Sequence, residues 1–480
     1  MTTPNAQPRE DTRPLLNDNA EKRPNPRPSH DPTWSVLDDV AARAKRYLTG
    51  IGERRVAPTR EAVAGLSALD VPLQDGPIPP EDVVEELDRI AEPATLTISG
   101  PRFFGFVNGG SLPATVAVNW LSTAWDQHGT FAATSPATTA VERIAMRWIV
   151  ELLGLPAESA GAFVTGTTVA HISALAAARD WLLSTCGWNI DTHGMFGAPP
   201  INVIASDEGH TTLFKALGVV GLGRSRVITV PSDAQGRMRA DAIPAITVPT
   251  IVCLQAGNVN TGSFDPFNDI IDRVHAANHP TWVHVDGAFG IWARVAPKRS
   301  YLTAGVERAD SWATDGHKWL NVPYDCGMAI VRNGDALRKT MSFKADYLPE
   351  EAANPSDYTP EGSRRARGVD AWAALRTLGR SGLADLVERN CRLAKRFADA
   401  FVAAGFPVLN DVVLNQVLVS FGEPEKTRRV IAAIQEDGTC WCGPTVWRGQ
   451  TAMRVSVISW LTTEDDVDRS IETILRLARS

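Results

Sequence analysis

An aspartate and a lysine occupy sequence positions that suit one kind of cofactor chemistry. Asp286 ends the apolar run Trp282–Asp286, and Lys318 follows 32 residues later in what we predict to be a loop of small polar residues, 310–319. A lysine amine can hold the aldehyde of pyridoxal phosphate (PLP) as a Schiff base, and a carboxylate can keep the pyridine nitrogen protonated so that the ring withdraws electrons. The pair therefore predicts an enzyme that transforms amino acids.

The segment Thr165–Thr168 has the composition of a phosphate site. It follows a predicted strand and opens a predicted helix, where backbone N–H groups and the hydroxyls of Thr167 and Thr168 could bind a phosphate. Helix capping alone would also explain these residues. Asn258 follows another predicted strand and offers a second polar strand end, although an ordinary turn would explain it equally well.

Two further residues could contact the cofactor ring. His210 follows the apolar run Val203–Ala205, and its imidazole could stack on an aromatic ring, although a lone histidine could also lie on the surface without a role. Ala288 is small enough to let a ring lie close, whereas Asp286 could instead cap a helix. Since ligands of parallel sheets bind at the carboxyl ends of the strands, we expect these residues to lie together.

The elements that would position these residues are those of an α/β protein. Apolar runs alternate with helical patterns from about 98 to 345, which predicts a mostly parallel sheet covered on both faces. The runs are Gly161–Val164, Val203–Ala205, Val227–Val230, Ile251–Leu254, Val283–Val285 and Met328–Val331. A long helical pattern over 369–403 precedes a smaller α+β region, with strands at 415–420 and 453–457 and helices at 426–435 and 464–477.

We expect four parts along the 480 residues. Residues 1–33 are rich in Pro, Asn, Arg and Glu and predict a disordered head. Residues 34–97 form a helical N-terminal segment without a large core of its own, which predicts packing on a partner subunit. A large cofactor-binding domain over 98–375 and a small C-terminal α+β domain over 376–480 complete the chain.

Composition excludes several classes of protein. The net charge of −7 without a basic stripe gives nucleic-acid binding no electrostatic support. An apolar run of membrane-spanning length is missing, and the first residues lack the apolar core of a secretory signal. Six cysteines are too few for a disulfide scaffold, and the lone Cys440-Trp441-Cys442 pattern lacks the further ligands of a metal site. We therefore expect a cytoplasmic protein without a metal.

With these residues in place, the chain resembles the PLP-dependent group II amino acid decarboxylases, the family of aromatic-L-amino-acid and glutamate decarboxylases. The resemblance runs from about residue 34 to the C-terminus. Its motifs are Val285–Ala288, His317–Trp319, Pro136–Leu155, Pro101–Gly105 and Ser363–Arg365. It implies fold type I of the PLP enzymes, the aspartate aminotransferase fold, with a mostly parallel sheet of the seven-stranded type and a homodimer whose active sites lie at the subunit interface.

The resemblance also implies the role of each site residue. Lys318 is the Schiff-base lysine, with His317 beside it, and Asp286 pairs with the pyridine nitrogen. His210 stacks on one face of the ring and Ala288 lies on the other. Thr167, Thr168 and Asn258 surround the phosphate. Arg454 matches a family arginine near the substrate, although a structural ion pair would also explain it, and Phe106 is a candidate for substrate contact.

The family's proton donor is a tyrosine in a loop before the small domain. Tyr358 is the best match within about 344–364, and Tyr347 is the second candidate. The chain departs from the family at Asp315, where relatives carry Asn. A carboxylate would be repelled by a phosphate, so we expect Asp315 to face His317 or a backbone amide instead. It departs again at Gly105–Ser111, where a smaller stretch replaces the bulky pocket lining of aromatic decarboxylases, so the substrate cannot be transferred from them.

We therefore predict decarboxylation of an L-amino acid, with aromatic side chains as the first choice. Aminotransfer, aldehyde-forming oxidative deamination and carbon–carbon lysis remain alternatives, because one fold hosts several chemistries. A cofactor-binding regulator is a further alternative, which would need an appended domain larger than the short head.

Overall fold

The computed structural model describes residues 32–343 and 354–480. The head predicted over 1–33 lies outside the described residues except for its last two positions, and Tyr347 also lies outside them.

Three helices form the N-terminal segment. They are α1 (Pro32–Thr49), α2 (Arg60–Gly65) and α3 (Pro80–Ala91). Helix α3 begins with Pro80 and carries two acidic residues in its first turn, where the helix dipole favours them. Arg43 of α1 contacts Asp88 of α3 with an N···O distance of 2.8 Å. Val83 and Leu87 of α3, one turn apart, remain 46% and 56% exposed.

A seven-stranded sheet forms the centre of the large domain. Its strands are β1 (Ala160–Val164), β2 (Asn202–Ser206), β3 (Ile228–Val230), β4 (Thr250–Gln255), β5 (Thr281–Asp286), β6 (Ser311–Asp315) and β7 (Gly327–Val331). The order is β1-β7-β6-β5-β4-β2-β3. Strands β2 to β6 run parallel, and β7 is antiparallel to β1 and β6. The predicted mostly parallel sheet is confirmed.

Helices flank this sheet and precede it in the chain. They are α4 (Pro113–Trp125), α5 (Pro136–Leu152), α6 (Thr167–Thr185), α7 (Ile190–His193), α8 (Thr211–Val219), α9 (Phe267–His275), α10 (Gly316–Trp319) and α11 (Gly334–Met341). Helix α6 covers one face of the sheet with a run of buried alanines and leucines, and the core that contains residues of α5 and α9 covers the other face. The strands between them are therefore apolar on both faces.

The prediction of a small-polar loop before Lys318 was wrong. Residues Ser311–Asp315 are the fully buried strand β6, and Lys318 lies in the short helix α10. Polar side chains are tolerated there because they have partners: Ser311 Oγ accepts from Trp282 Nε1 at 2.8 Å, and Thr314 Oγ1 accepts from Trp292 Nε1 at 3.0 Å. A strand of this composition has no apolar pattern in the sequence.

The C-terminal region builds a second, three-stranded sheet. The elements are α12 (Gly368–Ala403), β8 (Gln416–Val419), α13 (Pro424–Asp437), β9 (Gly443–Trp447), β10 (Gln450–Ser456) and α14 (Glu464–Arg479). The sheet order is β8-β10-β9, all antiparallel. The predicted βαβα pattern therefore missed β9, whose side chains are mostly not buried and which turns into β10 through Arg448 and Gly449, both with positive φ.

Helix α12 is shared between two hydrophobic cores. Its residues Leu383, Leu386 and Val387 belong to the core of the large sheet, whereas Phe397 and Phe401 belong to the core of the small sheet. Gly379, with φ 60°, kinks the helix near its start. Within the described residues, no helix is both long and apolar enough to cross a membrane.

Candidate active site

A cavity of about 320 Å³ opens at the carboxyl ends of β4, β5 and β6, beside the N-terminus of α6. This edge is the one at which parallel sheets bind ligands. The cavity brings together nine of the residues predicted from the sequence: Phe106, Thr167, Thr168, His210, Asp286, Ala288, His317, Lys318 and Arg454.

Lys318 forms an ion pair with Asp315. Its Nζ lies 2.9 Å from Asp315 Oδ2 and 6.0 Å from the centre of the Phe289 ring. Asp315 Oδ1 accepts a hydrogen bond from the backbone N–H of Thr167 at 2.8 Å. Although burial raises it, the pKa of Asp315 lies below its ordinary value because Lys318 and His317 stand beside it. Asp315 thus faces a backbone amide, as its unusual position in the sequence suggested.

His317 lies between Asp315 and the loop after α10. Its Nδ1 accepts from the backbone N–H of Cys326 at 3.2 Å, so the ring proton belongs on Nε2, which lies 3.6 Å from Asp315 Oδ2. The ring also packs against Tyr324 at a centroid distance of 4.4 Å. Burial lowers the pKa of His317, which keeps the imidazole neutral beside Lys318.

Asp286 is held by the backbone that follows it and by a buried histidine. Its Oδ1 accepts from the N–H of Ala288 at 3.1 Å, and its Oδ2 lies 3.5 Å from His171 Nε2. Although burial raises it, the pKa of Asp286 is held well below its ordinary value because His171, His210 and the Ala288 amide stabilise the anion. A permanent carboxylate at this place is suited to a protonated ring nitrogen.

His210 is a helix cap and a site residue at once. Its Nδ1 accepts from the backbone N–H of Thr212 at 3.3 Å and lies 2.7 Å from the Thr212 hydroxyl. This bond places the ring proton on Nε2, and burial lowers the pKa of His210, so the cavity receives a neutral N–H donor. The alternative of a surface histidine without a role is not observed, because His210 is half-buried and lines the cavity. Its capping bond was not expected from the sequence.

Arg454 of β10 brings a guanidinium into the cavity from the small sheet. Its Nη1 donates to the carbonyl of Val259 at 3.0 Å, and burial lowers its pKa to about 10. Within the described part of the chain it forms no ion pair, so the structural ion pair considered from the sequence is not observed. A buried guanidinium without a counter-ion is suited to an anionic ligand.

Asn258 does not lie in the cavity wall. It is 1% exposed, its Oδ1 accepts from the N–H of Asn260 at 2.9 Å, and its Nδ2 donates to the carbonyl of Glu208 at 3.3 Å. It holds together the loop after β4, because a buried amide must satisfy its polar atoms locally. The preceding Gly257 lines the cavity in its place.

Tyr358 lies away from Lys318 within one chain. It ends the 3₁₀ turn Pro355–Tyr358 and lines a separate cavity of about 270 Å³ beside Glu142 and Met146. Its ring also packs against the apolar core under α6, and burial raises its pKa. The structure therefore does not bring the preferred candidate for the proton donor to the amine within one chain.

Aromatic residues near the entrance are mostly structural. Phe106 is 63% exposed, lines the cavity and stacks on Trp441 at 5.4 Å between centroids. Phe103 also stacks on Trp441, at 5.1 Å between centroids, and Phe104 belongs to the core of the small sheet. Of these phenylalanines, Phe106 alone among the described residues contacts the cavity.

Sequence reasoning missed His171 and His284, which are completely buried next to Asp286. A signal was available for His284, because it stands two residues before Asp286 on a strand and therefore on the same face. His171 gave no such signal, since only the packing of α6 on the sheet brings it there.

The residues present fit PLP. Thr167 Oγ1 is buried without a hydrogen-bond partner in the described part of the chain, and it stands at the N-terminus of the 19-residue helix α6, where a phosphate is stabilised. Lys318, Asp286 and His210 supply the amine, the anion and the flat ring for the rest of the cofactor. Fold and site together define a PLP-dependent enzyme of fold type I.

Comparison with known proteins gives the family. The model of the pyridoxal-dependent decarboxylase conserved domain matches residues 65–421, so the chain belongs to this family. Tryptophan decarboxylase 1 of Oryza sativa subsp. japonica is 28% identical over 82% of this chain and 84% of its own length. Phenylacetaldehyde synthase of Arabidopsis thaliana is 26% identical over 82% of this chain and 86% of its own length.

A solved structure shows the same fold. The structure of Oryza sativa TDC with PLP and tryptamine has a TM-score of 0.86 at 24% identity, covering 94% of this chain and 99% of that one. The chain is thus a PLP-dependent amino acid decarboxylase, a carboxy-lyase by class.

Proposed function

We propose that the chain decarboxylates an L-amino acid with an aromatic side chain, giving the amine and CO₂. The observation that carries this proposal is one cavity containing Lys318, Asp286 and His210 together with the unpaired guanidinium of Arg454. Lys318 would hold PLP until the substrate amine takes its place, and the cofactor would then supply an electron-accepting ring for the negative charge at Cα when the carboxylate leaves as CO₂.

The residues of the chain bind and orient the reactants. Asp286 holds a proton at the ring nitrogen, and the Nε2–H of His210 and the guanidinium of Arg454 are donors for a substrate carboxylate. Val107 and Phe289, 2% and 3% exposed, provide apolar walls. Such walls exclude water, which favours neutral CO₂ over the carboxylate from which it forms.

Phe106 supports an aromatic substrate. Its ring is exposed at the cavity and held on Trp441, so it offers a flat apolar surface to the substrate side chain. The 28% identical tryptophan decarboxylase of Oryza sativa points in the same direction.

Aldehyde formation is the second candidate function. Tyr358 lies in another cavity, and a relative bears the name phenylacetaldehyde synthase. Without a proton donor at Cα, the carbanion would react with oxygen instead of being protonated. Aminotransfer and carbon–carbon lysis remain the other outcomes within this fold.

A product assay tests both candidates. The twenty amino acids, ornithine and diaminobutyrate are supplied in turn to the holoenzyme, and CO₂, amine, aldehyde and ammonia are measured. We expect CO₂ and amine in equal amounts from an aromatic amino acid. Aldehyde and ammonia from the wild type would instead establish the second candidate. Tyr347→Phe and Tyr358→Phe, compared in the same assay, identify the proton donor as the variant that shifts product towards aldehyde.

Arg454 gives a test of substrate binding. Arg454→Met removes the donor for the substrate carboxylate, so we expect KM to rise by roughly 10- to 100-fold, since hydrogen bonds to charged groups contribute about 1.5–3 kcal/mol. PLP affinity should be retained. The control is Arg448→Met, six residues earlier, an exposed arginine whose guanidinium carbon lies 5.6 Å from the centre of the Trp447 ring and which does not line the cavity. An unchanged KM in Arg454→Met would remove this residue from the substrate site.

We also propose a cytoplasmic homodimer with the domain division 34–97, 98–375 and 376–480. All six cysteines are free thiols, which supports a reducing compartment. Exposed apolar side chains on the N-terminal helices support the dimer.

A further inference from the structure

Behind Asp286 lies a continuous line of buried polar groups. His171 Nε2 is 3.5 Å from Asp286 Oδ2, His171 Nδ1 is 2.8 Å from His284 Nε2, and His284 Nδ1 is 2.8 Å from Ser311 Oγ. Trp282 Nε1 donates to the same Ser311 Oγ at 2.8 Å. Both histidines and Ser311 are completely buried, so water does not compete for these contacts.

The groups at the two ends of this line determine which nitrogen of each histidine carries the proton. An indole N–H can only donate, so Ser311 Oγ accepts from Trp282. Among the described residues the hydroxyl proton of Ser311 has His284 Nδ1 as its one hydrogen-bond acceptor, so it is donated there. His284 must then carry its proton on Nε2 and donate it to His171 Nδ1. His171 in turn carries its proton on Nε2, which points at Asp286, a group that can only accept.

A positively charged His171 would disrupt this sequence of hydrogen-bond donors and acceptors. Its Nδ1–H would donate to His284 Nε2, and the proton of His284 would then move to Nδ1 and point at Ser311. The serine hydroxyl would receive two donors, and its own proton would have no acceptor within the line. Burial also lowers the pKa of His284, in agreement with a neutral imidazole.

The contact at 3.5 Å is long for a hydrogen bond. His171 Nε2 nevertheless has no other partner among the described residues, so its N–H has Asp286 as its one acceptor there. Contacts in enzyme sites often tighten when the ligand is bound.

Three elements bring the line together. Strand β5 carries His284 two residues before Asp286, the register of β6 places Ser311 opposite His284, and α6 delivers His171 one turn from Thr167. The helix whose N-terminus faces the phosphate site therefore also reaches the carboxylate at the other end of the cofactor.

We infer that His171, His284 and Ser311 are positioning residues that deliver a single fixed N–H to Asp286 and thereby set the basicity of the carboxylate facing the ring nitrogen. The neutral N–H stabilises the ionised form of Asp286 and, unlike an imidazolium, adds no second positive charge that would compete with a protonated ring nitrogen for the carboxylate. The inference rests on the role of Asp286 in the proposed function.

The histidine protons can be observed directly. Nitrogen NMR of the holoenzyme with ¹⁵N-labelled histidine, assigned with His171→Gln and His284→Gln, should show that each ring carries its one proton on Nε2. In Ser311→Ala the proton of His284 should no longer be confined to Nε2. A charged ring or an Nδ1–H form at either position in the wild type would overturn the inference, whatever reaction the enzyme catalyses.

Substitution of His171 tests the effect on Asp286. His171→Leu removes the N–H, and we expect PLP affinity and kcat each to fall by roughly 10- to 100-fold, the range for a hydrogen bond to a charged group. His171→Gln, whose amide can donate and accept, should stay within about threefold. His275→Leu, which changes an exposed histidine at the end of α9, is the control for loss of an imidazole outside the line. Equal losses in the Leu and Gln variants would overturn the inference, and if the Leu variant does not fold, Ser311→Ala supplies the comparison.

Discussion

At the scale of single residues, the amine of Lys318 is held in an ion pair by the carboxylate of Asp315. Lys318 Nζ lies 2.9 Å from Asp315 Oδ2, and this ion pair must be broken before the amine can attack an aldehyde. Asp315 also occupies the backbone N–H of Thr167, at the helix end where a phosphate would bind. The carboxylate of Asp315 thus opposes cofactor binding both at Lys318 and at the phosphate site.

The residue-scale prediction is that Asp315→Asn binds PLP faster and more tightly. The amide can still accept from Thr167, while the ion pair with Lys318 and the repulsion of the phosphate are lost. We expect the dissociation constant to fall by roughly tenfold, about 1.4 kcal/mol. The visible absorbance that develops when PLP is added to the cofactor-free protein measures the rate and the affinity.

Asp241→Asn, an exposed aspartate paired with Arg239, is the control for this change. Weaker PLP binding in Asp315→Asn would show that the ion pair with Lys318 assists the cofactor instead of opposing it.

At the scale of elements, the position of α10 depends on two neighbouring loops. The backbone N–H of Gly109 donates to the carbonyl of His317 at 3.4 Å, and Asn321 donates from Nδ2 to the carbonyl of Lys318 at 3.1 Å. Asn321 Oδ1 accepts from the N–H of Trp460 at 2.9 Å, which ties α10 to the region after β10. The short helix that carries the lysine is therefore held from both domains.

Gly109→Ala should displace this helix. A Cβ at position 109 would lie 2.0 Å from the carbonyl oxygen of Lys318, a contact that requires the backbone to move. We expect a loss of about 1–3 kcal/mol of stability, the usual cost of overpacking, together with weaker PLP binding. Denaturant unfolding and PLP titration measure the two effects.

Gly65→Ala is the matched control, because a Cβ at position 65 would meet nothing within 4 Å. If Gly109→Ala were as stable as that control and bound PLP equally well, the loop would not position α10.

At the scale of the whole molecule, the N-terminal helices present apolar side chains without covering them. Val83 and Leu87 lie one turn apart on α3, and Leu73 in the preceding loop is 91% exposed. Exposed apolar surface of this kind marks an interaction site, and a second copy of the chain is the partner we propose.

Val83→Asp should weaken the dimer. A carboxylate placed in an apolar interface loses its hydration without a partner, so we expect the dimer dissociation constant to rise by roughly tenfold or more. Sedimentation at several protein concentrations measures it. Val402→Asp, which changes an equally apolar side chain that is 61% exposed on α12, is the control. A wild-type monomer with full activity would contradict the proposed dimer.

The sequence by itself determined the fold class and most of the site. Each of the six predicted runs is a strand of the large sheet, because buried parallel strands need continuous apolar residues that are visible without a structure. Asp286 and His210 were predicted because they lie at or just after the ends of such strands, and strand ends of a parallel sheet meet at one edge. Lys318 was predicted from its position 32 residues after Asp286 and from the family motif His317–Trp319.

The tertiary structure decided what depends on contacts between distant segments. Strand β6 was missed because its polar residues are satisfied by Trp282 and Trp292, which lie elsewhere in the chain. Asn258 fell outside the cavity because its hydrogen bonds close a local loop. His171 reached Asp286 only through the packing of α6, since a hydrogen bond between residues 115 positions apart leaves no periodic trace in the sequence.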